Sequence, residues 1–148
     1  MLKILNLIIL IHILLAASIY SQNLNYLKTC IKNHCFDTRV SDTPELRVKG
    51  LTGEQNLPKN EGMLFLFPNL GKPSFWMKGT KITLDILFIN EEDIIVYSVK
   101  NAEPCNEKNC PLYTPTREVN KVLEINGGIS NELGIKVGDE VTYFMEDE

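Results

Sequence analysis

Apolar residues fill the first twenty positions with few breaks, and beyond them they occur in short runs separated by turn residues. The run "MLFLF" sets Met63, Phe65 and Phe67 on one face and Leu64 and Leu66 on the other, so a central strand, covered on both sides, is expected there. After the turn "PNLGKP", the stretch "SFWMK" restarts a strand, Gly79 and Thr80 interrupt it, and "KITLDILFIN" continues it. Glu91, Glu92 and Asp93 form a turn before "IIVYSV". "EVNKVLEI" supplies another strand, and "IKVGDEVTYFM" ends the chain with Val141, Tyr143 and Met145 alternating against Thr142 and Phe144. Nearer the N-terminus, "CFDTRVS" reads as the first strand, and residues 22–34 lack a clear period and read as a tether.

Helix signals are few. In "DTPELRVKG", Asp42 or Thr43 caps, Pro44 takes the first helical position and Gly50 stops the helix. "GLTGEQNLPKNEG" is a loop, and "NGGISNELG" gives a glycine-rich turn and one helical turn capped by Ser130. Many short strands with two short helices predict a mainly β, barrel-like sheet, antiparallel or mixed, over residues 35–148 as a single small domain. Closure would also protect the edges of such apolar strands.

The opening run changes the picture of compartment. Lys3 precedes an apolar stretch from Ile4 to Tyr20, and small residues follow at Ala16, Ala17, Ser18 and Ser21. That order predicts a secretory signal over residues 1–21, hence export to a periplasmic or extracellular space. A retained membrane anchor is the competing reading, although Asn6 and His12 interrupt the run. Removal of residues 1–21 takes Lys3 and no carboxylate, moving the net charge from −4 to −5. Such a charge attracts neither nucleic acid nor an anionic bilayer, so neither partner is expected after cleavage.

Four cysteines form two pairs of the same spacing, "CIKNHC" (Cys30, Cys35) and "CNEKNC" (Cys105, Cys110). In an exported chain they read first as disulfides; a zinc site is the competitor. Cys30 and Cys35 on one extended strand would lie about 16 Å apart at ~3.3 Å per residue. A disulfide needs α-carbons within about 7 Å, so that segment turns or each cysteine has another partner. Cys105 and Cys110 sit in the Pro- and Asn-rich loop "AEPCNEKNCPLYTP", which can fold back on itself. The expected bridges are Cys105–Cys110 and Cys30–Cys35, with no metal and no cofactor.

The segments "DTPELRVKGL", "EGMLFLF", "SFWMKGTKITLDILFI", "PCNEKNCPLY", "VLEINGG" and "GIKVGDEV", in this order and spacing, resemble the family called domain of unknown function 192, from about Phe36 to Val141. The resemblance implies a compact, often exported, mostly-β domain and implies no activity. Gly79 stands where that family usually has asparagine, and Thr52 where methionine is common. Locally, "LGIKVGDEV" is similar to the Gly-Asp turn of cradle-loop β-barrels, with Gly138 supplying the backbone conformation and Asp139 capping neighbouring amides.

Candidate chemistry is sparse. On a strand, Trp76 and Lys78 share a face, and Thr80 joins them if Gly79 makes no bulge. An indole beside an ammonium and a hydroxyl suits a sugar or another flat polar ligand, whereas the plain alternative is a core indole with a lysine stem along it. Asp85 shares a mostly apolar face with Thr83, Leu87 and Ile89, so its carboxylate requires partners, among them Lys78, Arg47 or backbone amides. Its expected role is to tie a turn or loop to the strand rather than to catalyse.

Glu124 in "VLEI" permits a two-carboxylate hydrolase with Asp85 as an alternative. His34 is the sole histidine beyond the leader, and no Ser-His-Asp set or phosphate loop occurs. The leading expectation is therefore a binding module for a small polar molecule or glycan, without chemistry of its own. Trp76, Lys78 and Thr80 would form the surface, with Arg47, Asp85 and Tyr113 behind it. A structural module meeting an envelope protein is the third reading.

Overall fold

A computed structural model describes residues 26–145 and His12. The expected signal segment, His12 apart, and the first four residues of the expected tether lie outside the described residues. Among the described residues seven strands form one sheet: β1 (Tyr26–Ile31), β2 (His34–Ser41), β3 (Glu61–Gly71), β4 (Leu84–Ile89), β5 (Ile95–Ala102), β6 (Val119–Asn126) and β7 (Val141–Phe144). Within residues 26–145 two short helices accompany them, α1 (Pro44–Lys49) between β2 and β3 and α2 (Ile129–Glu132) between β6 and β7. The order across the sheet is β5-β4-β6-β3-β2-β1-β7, and β2 with β3 is the parallel pair among antiparallel ones. A parallel pair needs a crossover, and α1 with its following loop provides it.

The sheet curls into a mixed half-barrel. Its outer strands meet at one end, where Ile94 bridges Glu140 and the Ile95 amide donates to the Asp139 carbonyl at 3.0 Å. Gly138 (φ 95°) turns the chain into this closure, and the Asp139 carboxylate accepts from the Lys136 amide at 2.8 Å, as the Gly-Asp pattern predicts.

Both faces of the central strands are apolar, and each carries its own core. One holds Met63, Phe65, Ile86, Phe88 and Val122, and the crossover loop covers it with Leu51 and Leu57. The other holds Leu64, Leu87, Ile89, Leu123 and Ile125 against Ile129 and Ile135. β3 lies between β6 and β2, as expected from a strand apolar on both sides.

Helix α1 obeys its sequence signals. The Thr43 hydroxyl accepts from the Leu46 amide at 3.2 Å, Pro44 begins the helix, and Gly50 (φ 46°) returns its amide to the Leu46 carbonyl at 2.9 Å. The N-cap of α2 is Gly128, not Ser130, which lies within the helix and gives its amide to another partner.

The expected tether is largely structured. β1 and β2 form a hairpin in which Cys30 and Cys35 face each other at a Cα separation of 4.0 Å, turning at Lys32 (φ 55°). The turn answers the distance problem, and both expected disulfides are present. The inward face of β1 carries a hydroxyl, Thr29, bonded to the buried Thr38 hydroxyl at 2.7 Å. That polar position hides the alternation from a hydrophobic count.

Candidate functional site: a pocket between the crossover helix and the tryptophan strap

The stretch bearing Trp76, Lys78 and Thr80 is a strap rather than the expected regular strand. Pro73 lacks an amide proton and Gly79 takes φ 77°, so the ladder is reduced to isolated bridges. Phe75 and Tyr113 exchange backbone hydrogen bonds of 2.9 and 2.8 Å. The Cys105 amide donates to Met77 at 3.1 Å, and the Gly79 amide donates to the Cys105 carbonyl at 3.2 Å.

Alternation nevertheless survives as far as Lys78. Met77 is buried, and Phe75 meets Phe65 and Phe88 edge to face at 5.0 and 5.7 Å. Trp76 and Lys78 point outward, with the ammonium 5.6 Å from the indole centroid, a cation–π distance. Gly79 then breaks the alternation and Thr80 turns inward, 5% exposed, instead of joining Trp76 and Lys78. Asparagine tolerates positive φ better than other residues with a β-carbon, so glycine in its place preserves the turn.

Between this strap, α1 and the face of β3 and β6 lies a cavity of about 420 Å³. Trp76, 54% exposed, stands at its lip. Phe65, Phe67 and Phe75 form the aromatic wall, Arg47, Val48 and Lys49 the helical one, and Thr80 and Glu124 also line it. Arg47 is held in place: its guanidinium donates to the carbonyls of Asp42 and Leu66 at 2.6 and 2.7 Å and lies 5.2 Å from the Phe67 centroid.

Glu124 forms the floor. It rises from β6 opposite Ile86, is 5% exposed, and has no side-chain hydrogen bond or ion pair among the described residues. Burial, which penalises the charged form, pushes its pKa up to about 8. That shift favours the protonated carboxyl at neutral pH, a form that can both donate and accept a hydrogen bond.

Three of the six expected binding residues line this cavity, namely Trp76, Thr80 and Arg47. Lys78 stands beside it over the indole, and Tyr113 holds Phe75 through its backbone. Asp85 is elsewhere. Its carboxylate is fully buried and accepts from the amides of Asn101 (2.8 Å), Gly128 (3.1 Å) and Ser130 (2.8 Å). It ties β4 to the end of β5 and to the turn entering α2, the organising role expected of it. Register also removes the carboxylate pair. Asp85 pairs with Ile125 and Glu124 with Ile86, and directly paired residues share a face, so the two acids point to opposite sides of the sheet. They cannot flank one scissile bond.

Phe65, Phe67, Phe75 and Val48 join the site without having been singled out from sequence. The first two follow from the face of "MLFLF" shared with Met63, but their meeting with α1 depends on the crossover. Among the described residues no group of three or more His, Cys, Asp or Glu could hold a metal ion, and no helix is long and apolar enough to cross a membrane.

Fold and site together define a small mixed β half-barrel with a lined pocket against one face. The chain belongs to the DUF192 family, described as Uncharacterized ACR, COG1430, which it matches over residues 27–143. It is similar to a crystal structure of a protein of unknown function from Novosphingobium aromaticivorans DSM 12444, with 31% identity, a TM-score of 0.74, and 79% of this chain and 84% of that one covered. It is also similar to a candidate transcription regulator from Sinorhizobium meliloti 1021, with 28% identity, a TM-score of 0.72, and coverage of 80% and 92%. No curated protein matches the sequence.

Proposed function

We propose that this protein is an exported binding module whose pocket takes a small polar ligand or glycan. The observation that carries the reading is a half-exposed Trp76 at the lip of a cavity floored by Glu124, a carboxyl with no hydrogen-bond or ion-pair partner among the described residues. The Glu124 carboxyl opens onto the cavity, so an occupant of the pocket can supply the hydrogen bond that the surrounding side chains do not. The volume falls within the roughly 300–1,000 Å³ of small-molecule pockets, and aromatic walls with a few polar groups are their usual lining. An indole face stacks on a sugar ring while Thr80 and the protonated Glu124 meet its hydroxyls. Export is supported by the N-terminal pattern and by two disulfides, which hint at an oxidising compartment.

Trp76 is the single tryptophan of the chain, so its fluorescence reports the pocket directly. A saccharide and metabolite panel screened by thermal shift should yield a ligand that quenches this emission. Trp76→Ala should then leave the melting temperature nearly unchanged and abolish the ligand-induced shift. A mutant that unfolds, or a panel in which no compound perturbs the indole, contradicts the reading.

A further inference from the structure

Resting on that binding reading, we propose that the ligand is a hydroxylated carboxylate, a uronic-acid type of molecule, bound with hydroxyls toward Glu124 and its anionic group toward Lys49. The chain as a whole is acidic, at −4, yet the charged side chains lining the cavity besides Glu124 are both cations, Arg47 and Lys49. Glu124 is the single carboxyl of the lining among the described residues, and with its proton in place it contributes no negative charge. The pocket is thus locally positive on a negative molecule. Lys78, above the indole at the lip, adds to the same sign.

Other ligand charges fit less well. A cationic ligand would have to ionise Glu124 inside an apolar surround while passing Lys49 and Lys78. A neutral sugar satisfies the floor and the indole but leaves the cations of the wall without a counterpart. A compact inorganic anion satisfies the wall and leaves Glu124 unpaired. A ring with hydroxyls at one end and a carboxylate at the other meets the floor, the aromatic lip and the cationic wall together. Arg47 already spends one nitrogen on two carbonyls, so it acts as a fixed positive charge, whereas the exposed Lys49 is free to swing toward the anion.

Three sugars of one ring size that differ in charge test this: glucuronate, glucose and glucosamine, titrated into the oxidised protein with Trp76 emission and calorimetry as readouts. Glucuronate should bind about tenfold more tightly than glucose at low ionic strength, as one added favourable charge contact would give, and glucosamine more weakly than glucose. The advantage of glucuronate should shrink as salt rises from about 50 mM to several hundred, because the cations at the lip are exposed. Lys49→Gln should lower glucuronate affinity more than glucose affinity. Glucose binding as tightly as glucuronate, or glucosamine binding best, overturns the proposal and leaves the pocket reading intact. If none of the three binds while another compound quenches Trp76, the ligand class is wrong. If nothing quenches it, the pocket reading falls as well.

Discussion

Three amides converge on the Asp85 carboxylate from Asn101, Gly128 and Ser130, so removing the acid strands several donors at once. Each buried donor left unsatisfied costs about 1–3 kcal/mol. Asp85→Ala should therefore destabilise the fold by at least about 3 kcal/mol, read from the urea midpoint, and a loss under about 1 kcal/mol would deny its anchoring role. Glu124 behaves in the opposite way, because burial penalises its charged form and no partner among the described residues offsets that. Its pKa is raised from 4.5 to about 8 on folding, so below pH 4.5 both states hold the proton and nothing is lost. Between pH 4.5 and about 8 the unfolded chain releases a proton that the folded one keeps, and stability falls as pH rises. The full loss, on the order of 5 kcal/mol, is reached above pH 8. Glu124→Gln removes the titration, so its stability relative to the parent should rise in urea melts from pH 5 to about pH 8 and level off above it. A constant difference would mean that Glu124 titrates as an ordinary surface acid.

At the scale of elements, the strap depends on the Cys105–Cys110 loop, because both of its contacts with Met77 and Gly79 run through the backbone of Cys105. A disulfide closing so short a loop contributes about 2 kcal/mol. Replacing both cysteines with serine should lower the melting temperature and also weaken ligand-induced quenching of Trp76. The same change at Cys30 and Cys35, in the β1–β2 hairpin away from the pocket lining, should lower stability with little effect on the quenching. Equal losses of binding in the two double mutants would mean that the strap has no special dependence on its own bridge. The elements themselves were unevenly legible. Thr43, Pro44 and Gly50 announce α1 because capping is a local matter, and "MLFLF" announces β3 because burial on both faces leaves no polar position. β1 is obscured by Thr29, whose partner Thr38 is nine residues away. The strap imitates a strand because Phe75 and Met77 alternate with Trp76 and Lys78. Pro73 and Gly79 are the residues that prevent the ladder.

The pocket belongs to the whole molecule, since it forms where the crossover helix, the strap and the β3–β6 face meet. Sequence could group Trp76, Thr80 and Arg47 but not the enclosing walls, which follow from the parallel pairing of β2 with β3 that lays α1 beside the strap. It could also name Asp85 and Glu124 as unusual, but their separation onto opposite faces is a matter of register between β4 and β6. Both disulfides are formed, one in the β1–β2 hairpin and one in the loop that holds the strap, and no cysteine is free. Thiol titration should find none reactive in the native protein and four after denaturing reduction. Native reactive thiols would contradict the oxidised fold. The measurement that bears most directly on the site is a pH titration of the Glu124 side-chain carboxyl by carbon-13 NMR, run free and with saturating glucuronate. A midpoint near 8 is expected in the free protein, moving higher with ligand because the protonated acid is the form proposed to bind. A midpoint in the ordinary carboxylate range, unmoved by the sugar, would contradict it.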